Sequence, residues 1–159
     1  MSLAQQAVVE IESARDFFNR STRNLTESHS QFVAAPGMMT VAAQVAHTAH
    51  TIDWFVEGAF RPEGFDMDFG EHARIAGSYQ SLSEARRFFE EAVARAKQVV
   101  GGKSDAELLA AMAPGPVMGG LPRLAIIGAM TDHTAHHRGA LTVYARVQGI
   151  VPPMPYMDM

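Results

Sequence analysis

Apolar residues recur along this chain at steps of three and four, and the pattern predicts helices almost throughout. The first runs from about Leu3 to Asn24. Val8, Ile11, Ala14 or Arg15, Phe18 and Leu25 form its apolar stripe, with Glu10, Glu12, Asp16 and Arg20 on the other side. Ser28 to Gly37 reads as a loop punctuated by Pro36-Gly37. A second helix starts behind Thr40, a suitable N-cap, and ends near Phe60, ahead of Arg61-Pro62. It carries two adjacent stripes. One is Val41, Val45, Thr48, Ile52, Phe55 or Val56, and Ala59; the other is Ala43, His47, His50 and Trp54.

Residues 61–81 read as a long loop, rich in Gly, Asp, Phe and His, of the kind that covers or lines a site. The third long helix has the clearest period, through Leu82, Ala85, Phe89, Ala92, Ala96 and Val99, with Ser83 as N-cap and Gly101-Gly102 as stop. A short helix from Asp105 to Met112 follows Ser104, and residues 113–121 form an irregular connection. The last helix opens with Pro122 in its first turn and runs to about Gln148, with Gly149 as the stop. Beyond it the chain is proline-rich and extended, with Met154, Met157 and Met159 clustered. No stretch alternates with period two. The fold class that follows is all-α: one domain over residues 1–159, a four-helix bundle with long connections and one short extra helix.

Composition removes several functions. Apolar residues at 47% and charged residues at 19% are globular proportions. A net charge of −4, with thirteen scattered Lys and Arg, supplies no footprint for nucleic acid or an anionic membrane. No apolar run approaches the ~18 residues of a membrane helix. The absence of cysteine excludes disulfides, thiolate ligands, iron–sulfur clusters and a cysteine nucleophile. With no apolar leader segment at its start, the protein is expected to be cytoplasmic.

The candidate chemistry is histidine. On the last helix Ile126, Met130, His133, His137, Leu141 and Tyr144 share a face, so His133 and His137 point at the core, one turn apart. Two buried neutral imidazoles without partners would cost roughly 1–3 kcal/mol each, and a shared metal ion resolves that cost. His47 or His50 on the second helix supplies a third ligand; three positions apart on nearly one face, they are not separated by periodicity. His136 is turned about 100° away and is expected to pair with Asp132 at the bundle surface. His29 and His72 are expected to be solvated in loops, although His72 would approach the site if its loop folded over it. Arg138 is expected to make a structural ion pair. No Glu follows His133, which sets the site apart from the zincins, and the core lacks the carboxylates of a di-iron bundle. One turn from the ligands, His50, Trp54, Met130 and Tyr144 are candidate pocket residues; no catalytic residue is assigned.

The stretch from Asp132 to Arg146, followed by Gly149 and Pro152-Pro153, resembles the DinB/YfiT-like superfamily of bacterial four-helix-bundle metalloenzymes. The shared pattern is a histidine, three residues, then His-Arg-Gly-Gln-Leu. His133 and His137 fall on its ligand positions, with Ala140 in place of the glutamine. The segment Val41 to His47 resembles the family's second-helix ligand region, which makes His47 the third ligand and not His50. Three imidazoles leave metal positions open, and the ion is most simply zinc, with nickel, iron, manganese and cobalt as alternatives. The resemblance implies a metal-dependent enzyme, a hydrolase or a transferase or isomerase using a low-molecular-weight thiol. The alternative is a non-catalytic stress-associated protein that binds a metal or ligand. A homodimer is also implied, with Ala92, Ala96, Ala125 and Ala129 as close-packing surfaces.

Overall fold

The computed structural model describes residues 1–157, so Met159 of the tail cluster lies outside the described residues. Four long helices form the bundle: α1 (Leu3–Thr22), α2 (Val41–Phe60), α4 (Leu82–Gly101) and α6 (Ile126–Val147). Between them lie α3 (Phe69–Gly77) and the short α5 (Asp105–Leu109), with 3-10 turns at Glu27–His29 and Arg123–Ala125. No strand occurs among the described residues, and the fold is all-α as expected. One contiguous core runs through the bundle, anchored by Phe18, Phe89, Leu82, Ile126, Leu141 and Tyr144. Phe18 and Phe89 stack at 4.5 Å, and the buried Tyr144 hydroxyl donates to the Met39 carbonyl at 2.9 Å.

The helix directions determine the rest. Arg15 bonds Glu90 at 2.7 Å, Arg86 reaches the Thr22 carbonyl at 2.7 Å, and Lys97 pairs with Glu12, so α1 and α4 run antiparallel. His47 meets His133, while Arg123 bonds the Ala59 carbonyl at 3.1 Å, so α2 and α6 are also antiparallel. α1 lies beside α6 with matching direction, Gln6 near Leu124 and Phe17 near Arg138. Hence α2 and α4, packed side by side, are parallel. Parallel neighbours cannot be joined by a tight turn. The chain must climb back along a helix of twenty residues, about 30 Å, before α4 can begin.

Residues 61–81 make that climb, and the expectation of a plain loop there is corrected: α3 lies within it and packs on α2. Asp68 caps α3 by accepting from the Glu71 N–H at 3.0 Å. The α3 sequence hid from periodicity because only Ala76 among its nine residues is buried. Phe65 seats this crossover. Its ring occupies the space a Cβ would take at Gly58, so only glycine fits beneath it.

Other boundaries shift for local reasons. α1 stops at Thr22 rather than Asn24. The α4 cap is Ser81, not Ser83: its hydroxyl accepts from Glu84 N–H at 3.2 Å, while Ser83 N–H donates to the Glu27 carboxylate at 2.8 Å. α5 ends at Leu109, short of Met112, because the chain swings out to bond Met112 N–H to the Leu121 carbonyl at 2.9 Å. Pro122 precedes the 3-10 turn that leads into α6, and Gly149, at φ 76°, ends it in the left-handed region. The tail packs on α1, with Tyr156 edge-on to Phe17 at 5.1 Å. Of the small residues expected to pack closely against a second copy, Ala92 and Ala96 are fully buried inside the bundle, while Ala125 and Ala129 are partly exposed.

Candidate metal centre

α2 and α6 bring His47, His133 and His137 together. One ligand nitrogen from each lies within 4.8 Å of the others. His47 and His133 face each other at 3.2 Å between their Nε2 atoms. Two nitrogens on one tetrahedral ion, bonded at about 2.0–2.1 Å, sit roughly 3.3 Å apart, so this edge of the triangle is already at ligand spacing. The rings pack at 4.5 to 5.1 Å between centroids. His137 is buried, and its Nδ1 has no hydrogen-bond partner.

The electrostatics favour lone pairs over protons. Burial lowers all three imidazoles, and each neighbour's positive form would add repulsion. His133 is pushed down to about 4 and His137 to about 3, and His47 moves the same way. At neutral pH the triad is therefore uncharged, which is the form that binds a metal. Three neutral rings, one orphaned nitrogen and a single bond among them leave unused lone pairs that a divalent cation would satisfy. The donor set fits such an ion. Gln44, one turn before His47, is likewise buried with its Oε1 unpaired.

One side of the triad faces a cavity of about 200 Å³ lined by His47, His50, Thr51, Trp54, Phe55, Phe69, His72 and His133. α3 forms its roof. The His50 and Trp54 expected in the pocket are there; Met130 and Tyr144 are not, because both are fully packed in the core. His72, expected in solvent, is instead bonded to His50, Nδ1 to Nε2 at 2.8 Å, and its own Nε2 meets the Asp66 carbonyl at 3.2 Å. Trp54 Nε1–H donates to the same carbonyl at 2.7 Å. The signal for this second pair was the matching position of His50 on the His47 stripe. Its partner was unreadable because α3 is only nine residues long and buries only Ala76.

The remaining candidates are accounted for by their neighbours. His136 is exposed and lies edge-on against His137 at 4.8 Å, and the expected bond to Asp132 does not form among the described residues. Arg138 is also corrected: its guanidinium lies over the rings of Phe17 and Tyr156, at 5.8 and 6.0 Å, because the tail returns across α1. His29 Nδ1 accepts from the Thr26 N–H at 2.9 Å. Asp53 is held by Arg95 at 2.7 and 3.0 Å and is no metal ligand. A larger groove of about 520 Å³ runs between α1 and α6, but it contains none of the triad.

The sequence model of the DinB superfamily matches residues 10–141, which include all three triad histidines and both cavity walls. No curated protein matches the chain.

Proposed function

The chain belongs to the DinB superfamily, and from that premise we propose a divalent-metal enzyme that carries a small thiol on a three-histidine centre. Such an enzyme would act as a thiol-dependent transferase or isomerase. The observation that supports this most is the cavity placed over the triad: His47 and His133 form part of its floor, and no carboxylate or fourth histidine of the described residues joins the ligand cluster. Structural zinc sites close with four protein ligands, whereas catalytic ones leave a position for water or substrate. Zinc is the simplest occupant, and nickel, iron, manganese or cobalt accept the same donors.

The cavity walls favour sulfur over a hydrolytic reaction. Trp54, Phe55 and Phe69 surround the space with aromatic faces and edges, which attract a polarizable sulfur. An oxyanion would need free donors instead, and these are committed elsewhere: Thr51 Oγ1–H donates to the His47 carbonyl at 2.9 Å, and Trp54 Nε1–H donates to Asp66. The lining includes no Lys or Arg. The bound ion would act as a Lewis acid and lower the pKa of a thiol or water held on it. The protein's own contribution is to hold the three rings neutral, exclude bulk water under α3, and seat an apolar substituent against the aromatic wall.

Elemental analysis of the purified protein tests the first half, with one ion per chain expected. His47→Ala, His133→Ala and His137→Ala should each lose the metal, while His136→Ala and His29→Ala should retain it. Addition of 2-mercaptoethanol to the Co²⁺ form tests the second, with a change in the visible spectrum expected. A spectrum that ignores thiols but responds to acetate or azide would turn the reading towards hydrolysis.

A further inference from the structure

We propose that His50 is a catalytic proton acceptor of this centre and that His72 positions it, so that a ligand X–H entering the triad passes its proton to His50 Nδ1. The inference rests on the reading of an open, thiol-binding site. Its physical basis is a hydrogen-bond chain in which every proton is assigned by its neighbour. A carbonyl oxygen only accepts, so His72 Nε2, 3.2 Å from the Asp66 oxygen, carries the hydrogen. With that hydrogen on Nε2, the lone pair of the ring falls on Nδ1. That atom lies 2.8 Å from His50 Nε2, which must donate. The lone pair of His50 is left on Nδ1, a nitrogen that makes no other hydrogen bond and is not sealed from solvent.

This is the arrangement of an activated base: an imidazole held in one tautomer by a second group, itself oriented by a third. Trp54 adds rigidity by bonding the same Asp66 carbonyl, and both histidines line the cavity that His47 and His133 share. In the step itself the X–H bond breaks and an N–H bond forms at His50 Nδ1, while the electron pair stays on X. The imidazolium so formed keeps its Nε2–H on the His72 lone pair, and the proton leaves later to the product or to water. The charged and titratable groups around His50 are His47, Asp53 and Glu57 on its own helix, with Asp66, Glu71 and His72 on the crossover. Asp53 is neutralised by Arg95 from α4. Burial, with His72 adding to it, keeps His50 below its ordinary range, so it is a free base at neutral pH.

If the pair were only a latch holding α3 on α2, its removal would loosen the lid without changing how association depends on pH. The Co²⁺-loaded protein distinguishes the two by stopped-flow absorbance with 2-mercaptoethanol between pH 6.5 and 9. With an internal base the neutral thiol is competent, and the association rate should be nearly flat. In His50→Gln only free thiolate can bind: the rate at pH 7 should fall by at least about a hundredfold, the low end of general-base effects, and should then rise tenfold per pH unit. His72→Asn should fall between the two. A His50→Gln profile that keeps the wild-type shape overturns the proposal. Independently of any metal, ¹⁵N imidazole spectra of the metal-free protein should show Nε2–H tautomers for both His50 and His72; an Nδ1–H form of either one also overturns it. A wild-type Co²⁺ spectrum indifferent to thiol would instead refute the thiol-binding reading, and the tautomer spectra tell that failure apart from this one.

Discussion

Lowering the pH of the metal-free protein should destabilise it through its own metal ligands. His133 and His137 titrate near 6.5 in the unfolded chain but are pushed to about 4 and about 3 in the fold. Below pH 6.5 the unfolded chain therefore takes up protons that the folded chain refuses. The stability held by the neutral rings is complete above the unfolded value and is lost as pH falls below it. Between pH 7.5 and pH 5 the loss is about 2 kcal/mol for each ring, or about 4 kcal/mol for both as a ceiling. His47 and His50, lowered in the same direction, add to it with the same sign. The carboxylates of Glu12, Glu27, Glu71 and Glu107 are held below their usual range, so what they contribute is lost only below about pH 4.5 and stays out of this window. A loss of about 4 kcal/mol is a large part of the roughly 5–15 kcal/mol that holds a domain together.

Urea unfolding followed by far-ultraviolet circular dichroism, in EDTA at pH 7.5, 6.5, 5.5 and 5.0, measures this loss directly. His137→Leu should remove about half of the pH-dependent part. A total loss under about 1 kcal/mol would refute the reasoning, because it would mean that the rings are hydrated, or shared with a donor, in the fold.

Gly58→Ala should cost about 1–3 kcal/mol by chemical denaturation and weaken thiol association, since its methyl group displaces Phe65 and with it the crossover above the cavity. An unchanged midpoint would show that the crossover yields freely. Trp54 is the single tryptophan and lines the cavity, so Co²⁺ or Ni²⁺ titration should quench the protein's emission and Zn²⁺ should not; emission indifferent to all three would place the ion elsewhere. Ser81→Ala should cost about 1 kcal/mol as the loss of a helix cap, and Ser83→Ala clearly less. Equal costs would restore Ser83 as the cap.

What was legible in the chain was whatever repeats. The stripes of α1, α2, α4 and α6 are long and regular, and a buried face reads directly from steps of three and four. His133 and His137 were visible because they interrupt such a stripe with two polar rings in register. The choice between His47 and His50 was not visible by that route. The two differ by 100° times three, 300°, which leaves them only about 60° apart around the helix, and it is the rotation of α2 against α6 that aims His47 at the triad and His50 past it. Family likeness supplied the choice that periodicity could not. Met130 and Tyr144 misled for the converse reason: they share the ligand face, but that face is deep core on either side of His133 and His137 and opens only where α2 meets α3. α3 itself has too few buried residues to leave a pattern.

The crossover explains why the cavity lies where it does. Because α2 and α4 are parallel neighbours, the chain between them has to travel the length of the bundle whatever the function, and residues 61–81 are bound to pass over α2. α2 also carries His47, His50 and Trp54. A segment that must cross this face can therefore roof a metal centre with no further insertion. The polar bonds that hold it, Trp54 and His72 on the Asp66 carbonyl and His50 on His72, are the same bonds that fix the protons of the cavity. Lid and base are thus one structure. A substitution that weakens either should affect both, and Gly58→Ala is one of these, because Phe65 immediately precedes Asp66 and packs on Trp54. His50→Gln isolates proton transfer: it should slow thiol association only where the thiol is protonated, whereas Gly58→Ala should slow it at every pH.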